Sequence, residues 1–225
     1  MKRILIEIAA ALLLIVGAGA GRAEGAGAEV GIKMWVNDWT QDVPGFGSIT
    51  SDSAVLLGPA IAVKFGDRAF GEASFLFSTS DYTFNASATN IERQDVDLAI
   101  GDMIVPGFGV LAGYKDSSFK NRETGFTSDI NGPVIGIIGI AQVDPYLSFY
   151  GRLNYLFTKY KTDDPDLLIT HREDSPGWIF EFGLKFGFTR EFLGSLGYKY
   201  EMNEGNNTNI RDTFSGLTLS AMAAF

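Results

Sequence analysis

From Trp178 to Phe188 the chain alternates strictly between two kinds of side chain. Trp178, Phe180, Phe182, Leu184, Phe186 and Phe188 fall on one face. Ile179, Glu181, Gly183, Lys185 and Gly187 fall on the other. A period of two is the strand signature, because successive Cβ atoms point to opposite sides. Residues 147–158 repeat it, with Leu147, Phe149, Gly151, Leu153, Tyr155 and Phe157 on one face. So do residues 54–65, where Val55, Leu57, Pro59, Ile61, Val63 and Phe65 oppose Leu56, Gly58, Ala60, Ala62 and Lys64. The longest apolar run beyond the N-terminus, Val134 to Ala141, is too short for a helix that must cross a bilayer in about 20 residues.

Ten alternating segments can be marked: 28–40, 54–65, 69–82, 93–104, 108–118, 131–142, 146–161, 177–188, 192–203 and 212–225. Their connections alternate in length. Tight ones fall at Gly66-Asp67-Arg68, Val105-Pro106-Gly107, Val143-Asp144-Pro145 and Thr189-Arg190-Glu191; long polar ones fall at 41–53, 83–92, 119–130, 162–176 and 204–211. Tight turns on one rim and long loops on the other are the layout of an antiparallel up-and-down transmembrane barrel, with the turns facing the periplasm. The less bulky face carries Gly, Ala and Ser among charges of both signs: Lys64, Glu72, Asp95, Asp97, Arg152, Glu181, Lys185, Lys199 and Glu201. These are the expected lumen-facing charges. The bulky rings would overfill a small lumen and suit lipid. Trp35, Tyr82, Tyr114, Tyr160, Trp178 and Tyr200, near strand ends, are the expected interfacial girdle. A soluble ligand-binding barrel, which alternates too but with its apolar face inward, is the alternative.

The N-terminus reads as an export signal. Lys2 and Arg3 precede an apolar stretch from Ile4 to Val16, and small residues follow, with Gly21-Arg22-Ala23 or Ala18-Gly19-Ala20 at the cleavage site. Domain organisation is then a signal peptide over 1–23 and one barrel over 24–225. At the other end the chain closes on an alternating strand with Leu217, Leu219 and a terminal Phe225. This resembles the assembly signal of bacterial outer-membrane proteins, departing from it at Ala223. As a whole the chain resembles the small OmpA/OmpX/OmpW-like outer-membrane barrels. The resemblance implies an all-β fold of about ten strands, or eight as in many of those proteins. It also implies insertion by the barrel-assembly machinery, and outer-membrane lipids and lipopolysaccharide as surroundings.

Chemistry is sparse. The chain has no cysteine, so disulfides, thiolate metal sites and a cysteine nucleophile are excluded. A net charge of −9 argues against a nucleic-acid partner. The one histidine, His171, lies in a long loop beside Glu173, Asp174 and Ser175. Close sequence neighbours rarely converge into a Ser-His-acid set, so a solvated histidine is expected and a His171-dependent hydrolase is the minor alternative. Asp163-Asp164-Pro165-Asp166 lacks the spacing of a calcium loop. No catalytic, cofactor or metal site is therefore expected. The expected function is a structural or surface-interaction role, with loops able to meet an extracellular ligand. A small-solute or ion pore is the alternative, and a lipid-modifying enzyme a lesser one.

Overall fold

The computed structural model describes residues 27–84, 89–164, 169–189 and 191–225. The predicted signal segment lies outside them. In chain order the strands are β1 (Gly27–Val43), β2 (Gly47–Thr50), β3 (Ala54–Phe65), β4 (Ala69–Ser80), β5 (Tyr82–Phe84), β6 (Thr89–Val105) and β7 (Phe108–Asn121). They continue as β8 (Thr127–Asp144), β9 (Leu147–Leu156), β10 (Lys159–Asp164), β11 (Ile169–Asp174), β12 (Gly177–Gly187), β13 (Phe192–Glu204) and β14 (Arg211–Ala224). Ten of them, all but β2, β5, β10 and β11, form one antiparallel ladder. It closes where β1 meets β14, from Glu29 opposite Ala224 to Asp42 opposite Arg211. The strand number is therefore ten.

Closure removes every edge, so the wall satisfies its own backbone hydrogen bonds as a lipid environment demands. The tight rim turns on residues such as Gly107, whose φ of +83° puts it in the left-handed region. Inside the wall, curvature presses strands together. A Cβ on Gly216 would lie 1.9 Å from the carbonyl oxygen of Val36, so no side chain fits there.

The two faces have the polarity of a membrane barrel. Ile32, Ile100, Ile135, Phe149, Phe182 and Leu217 are exposed on the outside, whereas Asp95, Glu181, Lys199 and Glu201 are buried within. A water-soluble barrel needs the reverse. Tyr114, Trp178 and Tyr200 are exposed outside, but three expected girdle residues are not. Trp35 and Tyr82 are fully buried, and Tyr160 packs against the same interior cluster. Trp35 shares its face with Lys33 and Asn37, and Asn37 is flanked by Ala54 and Gly216 on the neighbouring strands. Trp35 itself stands between Leu56 and Thr218, and its parity with Lys33 and Asn37 turns inward an indole that was expected outside.

Strands β1 and β8 run for 17 and 18 residues, whereas crossing needs about 9–11. The excess rises beyond the membrane on the long-loop side. There β2 pairs with β1, β5 with β6, and the β10–β11 hairpin with β8. We call this region the crown. Residues read from sequence as loops, such as 47–50 and 170–174, are strands here; almost wholly exposed, they show no apolar period.

Candidate functional site

The lumen is divided along its length. On the crown side it is filled by aromatic rings. Trp39 lies 5.1–5.7 Å from the rings of Tyr82, Phe84, Phe119 and Phe214, centroid to centroid. Leu56, Leu76 and Ile130 complete the cluster. The Trp39 indole donates to Asp212 at 2.8 Å and the Tyr82 hydroxyl donates to Asn37 at 2.6 Å, whereas the buried Trp35 indole N–H has no hydrogen-bond partner among the described residues. Buried Trp and Tyr usually find such partners.

Beneath the rings lies a web of charges. Arg93 is the hub. Its guanidinium stands 4.0 Å from the centre of the Phe214 ring and 4.9 Å from that of Trp35. The same group holds Asp95 at 2.7 Å and Glu201 at 3.0 Å. Lys115 reaches Glu201 and Asp97, both at 3.2 Å, and Lys199 reaches Glu201 at 3.3 Å while lying over Trp35. Lower in the barrel Lys33 faces Glu181 at 3.5 Å, Arg152 pairs with Glu72, and Lys185 with Glu29 at 2.7 Å. Six cations (Lys33, Arg93, Lys115, Arg152, Lys185, Lys199) thus meet six carboxylates (Glu29, Glu72, Asp95, Asp97, Glu181, Glu201). Burying a charge is tolerable only with such partners.

Of the charges singled out in the sequence, eight join this web. Lys64 stands apart at the tight-turn rim, exposed, with Gly27 and Phe70 as cross-strand neighbours. Arg93, Lys115, Lys33 and Glu29 were not singled out. Period two could have found them, since Arg93 shares a face with Asp95 and Asp97, and Lys115 with Leu111 and Gly113. The end-of-chain residues Leu217, Leu219 and Phe225 all point outward, and Phe225 exchanges backbone hydrogen bonds with Ala28 of β1.

Below the upper web the lumen holds a cavity of about 230 Å³, lined among others by Glu72, Asp97, Arg152, Asn154 and Lys185. Exposure grades along the axis: Trp35, Arg93 and Phe214 are at 0%, whereas the Glu72 and Lys185 side chains are at 33% and 40%. The cavity therefore meets solvent at the tight-turn end.

In the crown, His171 and Glu173 come together, with Nε2 3.7 Å from Oε1. Asp174 is exposed, and Ser175 is buried with its amide donating to the Thr158 carbonyl. The four neighbours do not converge. Glu173 instead clasps the β13–β14 loop, accepting from the Thr208 hydroxyl at 2.7 Å and from the amides of Asn207 and Thr208 at 2.8 and 3.1 Å. Burial pushes its carboxyl up, but those donors and His171 outweigh it and hold it below the usual range. A depressed carboxylate contributes stability that is present above its unfolded pKa and lost as pH falls through the folded value. The Asn207 and Thr208 amides are thus expected to be strongly protected from hydrogen exchange at neutral pH, and to lose protection, measured against the intrinsic rate at the same pH, below the ordinary carboxylate range. Glu173→Gln should lower their protection at neutral pH and flatten that acid response.

Similar solved structures are outer-membrane β-barrels. The outer membrane protease OmpT of Escherichia coli matches with a TM-score of 0.62 at 14% identity, over 90% of this chain and 96% of that one. Neisserial surface protein A matches with a TM-score of 0.46 at 12% identity, over 88% and 98%. Ail, the attachment invasion locus protein of Yersinia pestis, matches with 0.43 at 12%, over 88% and 99%. No protein-family model matches the chain, and neither does any curated protein. At these identities the OmpT likeness shows the fold alone: a closed, ten-stranded barrel of the outer-membrane kind.

Proposed function

We propose that this protein is exported behind a signal peptide cleaved near residue 23. It then resides in the bacterial outer membrane as a closed barrel whose lumen does not conduct. Its role is structural or lies in surface interaction through the crown. The observation that supports this is the septum across the lumen. Trp35, Arg93, Lys115, Glu201 and Phe214 are each 0–1% exposed although they lie inside a barrel. A conducting path would wet at least some of them. The crown, raised on strands longer than the membrane needs, is then the surface able to meet lipopolysaccharide or an extracellular ligand. We assign His171 a place beside Glu173 and no hydrolytic role.

Planar-bilayer recording tests the reading. Wild-type protein is expected to give no stable conductance steps. The double variant Trp35→Ala/Phe214→Ala, which hollows the septum, is expected to give them. Steady channels from the wild type would overturn the proposal.

A further inference from the structure

We infer that the open edge of β11 is a binding site for an extended peptide, which joins the crown sheet as a further strand and sets a carboxylate side chain opposite Arg172. The inference rests on the crown as the interacting surface, and it holds whether or not the lumen conducts.

The ladder shows the edge. β11 pairs with β10 in an unbroken antiparallel register, from Lys159 opposite Asp174 to Asp164 opposite Ile169, and with no other described strand. It runs on above β12, whose ladder partner β13 ends at Glu204. There the chain turns back towards β14, with the Gly205 amide donating to the Ile210 carbonyl at 3.0 Å. This turn reaches Asp174 through Asn206 and Glu173 through Asn207 and Thr208. No described residue stands beside the higher part of β11.

Parity shows which groups the edge offers. The Asp174 carbonyl takes the Asn206 amide at 2.9 Å, so it points away from β10. In an antiparallel ladder, alternate residues turn their N–H and C=O to the same side. Thr170 and Arg172 therefore face the edge as Asp174 does, whereas His171 and Glu173 face β10. Neither Thr170 nor Arg172 has a backbone partner on the edge side among the described residues. Two donors and two acceptors in strand geometry are a template for another strand. Edges are commonly blunted by proline or a bulge, but residues 169–174 contain no proline and their register no bulge.

Side chains select the occupant. Glu173 is buried on the inner face, so its neighbours Arg172 and Asp174 lie on the outer one, where both are exposed. Thr170 shares that face and donates to Asp163 at 2.7 Å. Asp163 also holds Lys161, the residue opposite Arg172 on β10. The Arg172 guanidinium itself joins no ion pair among the described residues. In an added strand, the residue facing Arg172 lies beside this free cation, and a carboxylate there completes a cross-strand pair.

The test uses the full folded barrel, nitrogen-15 labelled in detergent micelles and titrated with the peptide Ac-Val-Glu-Val-Thr-Val-NH2. Added antiparallel, its Glu falls opposite Arg172 and its Thr opposite Thr170. The Thr170 and Arg172 amide signals are expected to shift and to gain protection from exchange, whereas those of His171 and Glu173, already bonded to β10, should change little. Methylating the Glu and Thr amides of the peptide should abolish binding, and Lys in place of Glu should weaken it about threefold, as an exposed ion pair allows. Arg172→Pro removes only an amide that β10 does not use, and should abolish binding in a barrel that keeps its gel mobility shift between unheated and boiled samples. Arg172→Glu leaves every backbone group in place and should reverse the preference between the Glu and Lys peptides. No peptide binding to the wild type would overturn the inference, as would binding that survives methylation. Shifts confined to other parts of the crown would overturn it too, while leaving the crown as the interacting surface.

Discussion

Arg93→Met is expected to be the most damaging single substitution in the barrel, destabilising it by about 3–5 kcal/mol, the range for removing one partner of a buried ion pair. Methionine fills much of the same space, so the loss is one of charge. Asp95 and Glu201 would keep Lys115 at 3.7 and 3.2 Å but lose the guanidinium that holds them at 2.7 and 3.0 Å. One negative charge among six pairs would then lie uncompensated at the driest point of the lumen. The rings of Phe214 and Trp35 would also lose the cation stacked on them, a contact worth up to about 2 kcal/mol when desolvated. Urea titration of the barrel refolded into lipid vesicles measures the loss. Adding Glu201→Gln to Arg93→Met should recover part of it, because that change removes the stranded charge. A single mutant as stable as wild type would mean that the web contributes little.

Strand β12 gives the second large effect, with its own period as control. Phe182 is 48% exposed on the outer face and packs against Tyr198 across the ladder. Arginine there would meet lipid, at a cost of about 2–4 kcal/mol near the bilayer midplane. Phe182→Arg is therefore expected to lower the yield of barrel inserted into vesicles. Its neighbour Glu181 turns inward to Lys33 at 3.5 Å and accepts from the Tyr150 hydroxyl at 3.2 Å. Glu181→Gln keeps an acceptor for Tyr150 and leaves one lumen cation loosely held. It should insert as well as wild type and lose only modest stability. The opposite ranking, with Phe182→Arg inserting normally and Glu181→Gln failing, would mean that the barrel faces have been assigned inside out.

The wall of this protein was legible in the sequence and its filling was not, for a physical reason. Alternation such as that of residues 178–188 reports which side chains share a face. The spacing of tight turns reports how the strands connect. Both are local, so strand positions and the hairpin layout could be read directly. Which rings enter the lumen depends on what stands opposite them. Trp35 lies inside, in a cluster with Phe119 and Phe214 from strands distant in sequence. Arg93 lies on the readable face of its strand, yet its worth depends on Glu201, 108 residues later. The crown hairpins escaped for the converse reason. Residues 170–174, exposed except for Glu173, pair as a strand with β10 without any apolar period.

The three tryptophans test most directly how bulky side chains are sorted between lipid and lumen. Trp178 is 45% exposed on the outer wall, whereas Trp35 and Trp39 are 0% and 8% exposed inside. In vesicles containing lipids brominated near the headgroup, where interfacial tryptophans lie, the wild-type protein should be partly quenched. Trp178→Phe should abolish that quenching. The remaining emission from Trp35 and Trp39 should then resist both brominated lipid and aqueous iodide. Quenching by brominated lipid that persists in Trp178→Phe would place Trp35 or Trp39 in the membrane and contradict the plugged-lumen account.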